Sequence, residues 1–272
     1  SSLTVGAGRS EYYRNDGNAQ NIFDVAYNNL EIDGSGDKDI SANLTVNDTL
    51  TITNGTLDLR GSDGLGNFDL VATDFLMTGG ILEAGTSDAH TVGGSWTENG
   101  GTFTPTTGTF TFGGTGDITQ FLGNNFFNLT IAAGTKTAGS NLNVDGALLI
   151  DQLNSELDMS ATNYTLDLEG DLTISNSGTF TPRGSTTHNV AGNWDDDGGT
   201  FTPATGTITL SESIAGTGTT IKTKASNKFF NLTINSIENK EAITALDIDG
   251  DFTILGGTFT NGLFTHNVAG NW

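Results

Sequence analysis

The chain has 272 residues, of which 35% are hydrophobic and 15% charged, with 32 acidic side chains against 10 basic ones. The net charge of −22 repels phosphate backbones and anionic headgroups, which argues against nucleic acid and membrane surfaces as partners. No run approaches the ~20 apolar residues of a bilayer-spanning helix, and with no cysteine there is no disulfide frame.

Thirty-eight glycines, abundant Thr and Asn, and only 3 prolines favour short strands joined by tight turns. In chain order, Ser1-Ser2-Leu3 carries no signal-peptide pattern, and the opening 30 residues, with Tyr12, Tyr13 and Arg14, fit the later pattern least. Tyr27-Asn28-Asn29-Leu30-Glu31-Ile32 is the first marker. It returns as Phe126-Phe127-Asn128-Leu129-Thr130-Ile131 and as Phe229-Phe230-Asn231-Leu232-Thr233-Ile234. Asp33-Gly34-Ser35-Gly36-Asp37-Lys38-Asp39 follows, with oxygen donors at alternate positions. Asp33, Asp37 and Asp39 form a candidate Ca²⁺ loop, although it lacks the later bidentate Glu and the helices of an EF-hand. A solvated turn is the simpler reading there, and also for Asp195-Asp196-Asp197-Gly198.

Alternating segments come next: Leu44-Thr45-Val46, Leu142-Asn143-Val144 and Leu246-Asp247-Ile248. Strict alternation predicts strands with one buried face. All three histidines and all three tryptophans then fall in one heptapeptide, His90-Thr91-Val92-Gly93-Gly94-Ser95-Trp96. Its other copies are His188-Asn189-Val190-Ala191-Gly192-Asn193-Trp194 and His266-Asn267-Val268-Ala269-Gly270-Asn271-Trp272. Rare residues confined to equivalent places mark the geometry of a repeat. The simplest expectation has each His bonding a turn backbone and each Trp stacking on or capping a corner. The prolines also repeat, in Gly-Thr-Phe-Thr-Pro at 101–105, 178–182 and 199–203, where Pro should end a strand.

A shorter beat runs inside the long one. Val46, Leu70 and Val92 lie 24 and 22 residues apart, and Val144, Leu168 and Val190 repeat those intervals. That beat suits one coil of a parallel β-helix. The heptapeptides start 98 and then 78 residues apart, and 246–254 match 166–174 better than they match 142–150. One coil's worth of sequence, near 142–163, is therefore missing from the last repeat. A solenoid tolerates such a loss because each coil touches only its neighbours. The expectation is a single continuous solenoid over 1–272, an all-β right-handed parallel β-helix of roughly 12 coils, with repeats at about 1–96, 97–194 and 195–272. Tandem β-sandwich repeats are the runner-up. Val92, Phe103, Leu129, Leu168, Val190, Phe201 and Leu232 should point inward, and only one of Phe126 and Phe127 should do so.

Other chemistry is sparse. Pectin-processing β-helix enzymes need convergent carboxylates or a basic proton acceptor, for which 10 basic residues and acids confined to turns offer little, so no enzymatic role is expected. Thr-x-Thr pairs such as Thr102/Thr104 and Thr207/Thr209 suit an ice-binding face only at constant coil length, which the varying beat denies. Asn-x-Ser/Thr sequons at Asn43, Asn47, Asn54, Asn128, Asn163 and Asn231 are candidate glycosylation sites. Asn128 and Asn231, being equivalent, can instead line a hydrogen-bonded ladder.

The phrases at 101–109 and 199–207, Phe-Asn-Leu-Thr-Ile and His-Asn-Val-Ala-Gly-Asn-Trp resemble the β-strand repeats of large bacterial and archaeal cell-surface proteins, adhesin-like or autotransporter-like. The resemblance covers nearly the whole chain and carries no functional residues with it. It implies a secreted solenoid concerned with adhesion, envelope or matrix structure. The expectation is thus an extracellular, non-enzymatic structural module of a surface fibre, or alternatively a carbohydrate-binding adhesin. Ser2-Leu3-Thr4-Val5 aligns with Thr207-Ile208-Thr209-Leu210. That phase suggests self-association by head-to-tail stacking, or membership of a longer repeat protein, with glycans as the other candidate partner and Ca²⁺ as the one candidate cofactor.

Overall fold

A computed structural model describes residues 8–13, 18–61, 64, 66–86, 89–182, 184, 186–211 and 219–272. The Ser2–Val5 alignment and Arg14 lie outside them. The described residues contain no helix. Their parallel strands stack in about 11 coils to form a β-solenoid, so the solenoid expectation holds over the sandwich. The chain divides into two compact units, Ser1–Asn128 and Leu129–Trp272.

In the first unit each coil contributes strands to three columns. One column stacks Asn29–Asp33 on Arg9–Tyr13, and continues through Leu50, Phe75 and Trp96 in register. A second stacks Gln20–Asn21, Asp37–Asp39, Thr56–Asp58, Ile81–Glu83 and Thr102–Thr104. The third runs from Leu44 to Leu70 and on through His90–Val92 to Thr109–Phe112. The long strands Leu44–Ile52 and Leu70–Met77 serve two columns, turning between them at a register shift after Val46. Alternation sets what is buried: in Leu44–Ile52 the side chains of Leu44, Val46, Leu50 and Ile52 point inward and the residues between face out.

The second unit repeats this plan. One column reads Leu129, Leu148, Leu172, Trp194, Ile221, Ala242. Another reads His188, Ile208, Leu232, Phe252. Two consequences follow. Three coil steps lead from Leu129 to Trp194, as from Leu30 to Trp96 in the first unit. From Leu232, one step reaches Phe252, and Phe252 then donates its N–H to Asn271 (2.9 Å) as Leu172 does to Asn193 (2.9 Å). The last repeat therefore lacks one coil. In addition, Trp194 and Trp272 stand on different columns, so this repeat is not a whole number of turns.

The expected core positions Val92, Phe103, Leu129, Leu168, Val190, Phe201 and Leu232 are all buried, and Phe126 rather than Phe127 faces inward. Each such apolar side chain contributes about 1.5–3 kcal/mol by leaving water. Strands Thr102–Thr104 and Thr179–Thr181 stop immediately before Pro105 and Pro182, which have no N–H for the ladder.

Candidate functional site: the histidine–tryptophan turns

The heptapeptide is the feature most concentrated in reactive side chains, and each of its positions has a local task. In ordinary coils the first inward residue of the third column donates its N–H to a main-chain oxygen of the coil above: Leu44 to Asp69 (2.8 Å), Leu142 to Thr165 (2.9 Å). One coil later the acceptor is a ring nitrogen. Leu70 N–H donates to His90 Nδ1 at 3.1 Å, Leu166 N–H to His188 Nδ1 at 3.1 Å and Leu246 N–H to His266 Nδ1 at 3.0 Å. An imidazole accepting at Nδ1 carries its proton on Nε2; in His266 that nitrogen meets Asn261 O at 3.0 Å. The expected backbone bond is present, but the partner is the start of a strand rather than a turn.

The glycine before Ser95, Asn193 or Asn271 makes room for an acid. A Cβ on Gly94, Gly192 or Gly270 would lie 2.2, 2.3 or 2.5 Å from Oδ1 of Asp74, Asp171 or Asp251. That oxygen accepts the next residue's N–H, from Ser95 (2.6 Å), Asn193 (2.7 Å) and Asn271 (2.7 Å). The same residue bonds upward in the internal copies: Ser95 Oγ accepts Asp117 N–H (3.2 Å) and Asn193 Oδ1 accepts Thr220 N–H (2.8 Å).

The tryptophans correct the expectation of a corner cap. Trp96 and Trp194 are fully buried and lie in the core column, not at a turn. Alternation forces this, since Trp starts a strand at an inward position. Each indole N–H then needs a buried acceptor. Trp96 Nε1 donates to Glu98 Oε1 (2.6 Å) and Trp194 Nε1 to Asp196 Oδ2 (3.1 Å). Trp272 is 79% exposed and packs on Phe252 at 5.0 Å between ring centroids.

Both acceptor acids are buried, and Asp196 is accordingly no solvated turn residue. Glu98 Oε2 accepts Phe121 N–H (3.0 Å) and Asn124 Nδ2 (2.8 Å). Asp196 Oδ1 accepts Lys224 N–H (3.0 Å), while Asn227 Nδ2 donates to Asp196 O (3.2 Å) and Gly199 O (3.3 Å). Loss of water raises both carboxyls, Asp196 to about 6, against hydrogen bonds that pull them down.

Sequence reading missed three lysines. Lys38, Lys136 and Lys240 are buried. They follow Asn29, Asn128 and Asn231 by 9, 8 and 9 residues, an alignment that was available. Lys240 Nζ donates to Ala191 O at 2.7 Å, and burial lowers its pKa to about 8, against the nearby charge of Asp171. Lys38 bears on the candidate Ca²⁺ loop. Its Nζ donates to Gly36 O (2.9 Å) and Gly34 O (3.3 Å), so two loop carbonyls face an ammonium. Asp33 Oδ1 accepts Gly34 N–H (2.7 Å), and Asp37 faces solvent. Asp39 is buried, with its pKa raised by that burial and by Asp37 and Asp58. Among the described residues no group of three or more His, Asp or Glu is placed to hold a metal ion.

Of the sequon asparagines, Asn43, Asn47, Asn54 and Asn163 are exposed. Asn43 pairs with Asp69, donating from Nδ2 (2.8 Å), and Asn231 Oδ1 accepts Asp251 N–H (2.8 Å) as a rung of a ladder. Asn128 is half-buried. No protein-family model matches the chain, and comparison with curated proteins and with solved structures gives no match.

Proposed function

We propose that this chain is a non-enzymatic extracellular structural protein, a subunit or segment of a cell-surface fibre, filament or envelope assembly. The observation that carries the reading is the use made of the heptapeptide. In both internal copies the His, the Ser or Asn and the acid after Trp bond to a neighbouring coil, while the Trp indole holds that acid within its own strand. The buried His, Trp and acid of each copy hold the stack together and are shielded from a substrate, while Ser95 and Asn193 make their bonds at the surface. The partner that suits the reading is more of the same architecture, in a second copy or in further repeats. On strand Phe252–Thr260 Ile254 and Leu255 are exposed, and Phe259, Phe264, His266 and Trp272 line a hollow of about 540 Å³.

Negative-stain microscopy with sedimentation over a concentration series tests this. End-to-end rods or a ladder of oligomers are expected, and a strictly monomeric particle at every concentration overturns it. The same aromatic hollow favours a second reading, a carbohydrate-binding adhesin, because sugar rings stack on indole. A glycan array blank with and without Ca²⁺ would remove that reading.

A further inference from the structure

We propose that the buried carboxylates of Glu98 and Asp196 form a proton-responsive tie between coils, so that the folded stack gains stability as the surroundings acidify. The geometry is built twice. In the first unit Glu98 joins the Trp96 indole to the turn at Phe121 and Asn124, and Asn124 Oδ1 in turn accepts Phe103 N–H (3.1 Å). In the second, Asp196 joins the Trp194 indole to the turn that begins at Lys224. Among the described residues both acids meet neutral donors only, and the charged groups named next are engaged elsewhere. Lys224 turns its Nζ to Gly199 O (3.3 Å), and Lys222 pairs with Asp195 (3.4 Å) and Asp197 (3.1 Å) outside the core. Around Glu98, Asp74 accepts Ser95 N–H and Asp117 faces solvent. A buried anion without a countercharge is costly, and protonation removes that cost while weakening the hydrogen bonds the carboxylate accepts; burial is the larger of the two effects.

The sign follows from linkage. An acid that ionises less readily when folded binds more protons in the folded state, so stability is gained as pH falls toward the folded value and below, and lost on ionisation. With Asp196 at about 6 when folded and 3.8 as the reference, the folded-to-unfolded ratio should rise about tenfold between pH 7.5 and pH 5 through this group alone. Glu98 adds to it in the same direction.

Denaturant melts of the intact chain from pH 7.5 to pH 5 read the effect, for wild type, Asp196→Asn and Glu98→Gln. The amides keep an acceptor for the indole but cannot ionise. Each variant should lose part of the acid-side gain, while the remainder, due to the general relief of a net charge of −22, persists in all three. Identical pH slopes in the three proteins overturn the proposal. If a variant fails to fold, difference infrared spectra of the wild type decide. A protonated-carboxyl band at pH 5.5 in the folded protein supports the tie, and its absence there overturns it.

Discussion

The Trp96 and Trp194 nests fill equivalent places with different materials. Trp96 is stacked on Phe75 (3.9 Å between centroids) and ringed by Phe103, Phe110, Phe112 and Phe126 at 5.1–6.3 Å. Trp194 meets two phenylalanines, Phe201 (4.9 Å) and Phe229 (5.1 Å), and its register neighbours are Leu172 and Ile221. The polar bonds hardly change: His Nδ1 on a leucine N–H, Asp under the turn, an acid on the indole. Apolar filling is exchangeable where volume is conserved, because dispersion has no direction. A buried N–H has one direction and needs one acceptor, so its partner is retained.

That contrast can be broken in graded ways. The largest effect is expected from Trp96→Ala and Trp194→Ala, each losing about 3–5 kcal/mol by leaving a cavity. Trp96→Phe should be tolerated better than Glu98→Leu, relative to the volume changed, because the second strands an indole N–H. Chemical denaturation of the four variants checks both statements. Next comes His188→Leu, which keeps an apolar fill but leaves Leu166 N–H without its acceptor. A loss of about 1–3 kcal/mol is expected, with faster amide exchange at Leu166 as the local readout.

Lys240 ranks third. Its pKa of about 8 when folded lies below its ordinary 10.5, so the unfolded chain binds more protons between those values and stability rises with pH across that window. From pH 8 to 9.5 the gain should be about 1.5 kcal/mol. Lys240→Met should abolish it, and equal pH slopes for wild type and variant would refute the assignment. Smaller again is Asp171→Ala, which removes acceptance from both Asn193 N–H and Asn193 Nδ2 at a solvent-facing turn. About 1 kcal/mol is expected. Trp272→Ala should be the mildest for the isolated chain, below about 0.5 kcal/mol as for other exposed sites. Its effect should instead appear in any end-to-end association.

How much of this was legible beforehand depends on the kind of interaction. The strand positions of Leu44, Val92, Leu168 and Leu232 could be read because alternation projects directly onto burial, and the missing coil could be read because spacing is conserved around it. The heptapeptide was legible as a repeat mark but not as a mechanism. Nothing in His188 announces that its ring replaces a main-chain oxygen for Leu166, 22 residues earlier. Such a bond is set by the stacking register, which a linear pattern does not display. The tryptophans were misplaced for the opposite reason. A large ring beside a Gly-Asn turn suggests a corner, while the pleat places the residue after that turn inward. Asp196 was hidden by its neighbours: among Asp195, Asp196 and Asp197 only the middle side chain points in, and composition treats the three alike. Lys38, Lys136 and Lys240 aligned well enough to be noticed, but a lysine in a core column runs against every prior for that residue.

One geometric detail bears on how the protein would be met by others. Trp194 and Trp272 occupy different columns of the second unit, so a sequence that recurs identically along the chain does not recur in the same compass direction. Within that unit, a surface motif tied to the repeat is presented on one flank and then on another, like treads of a spiral stair. A rigid, flat partner approaching one side would find one copy within reach and the next turned away. Only a partner that winds with the chain, or one small enough to treat each copy as a separate address, could engage successive repeats.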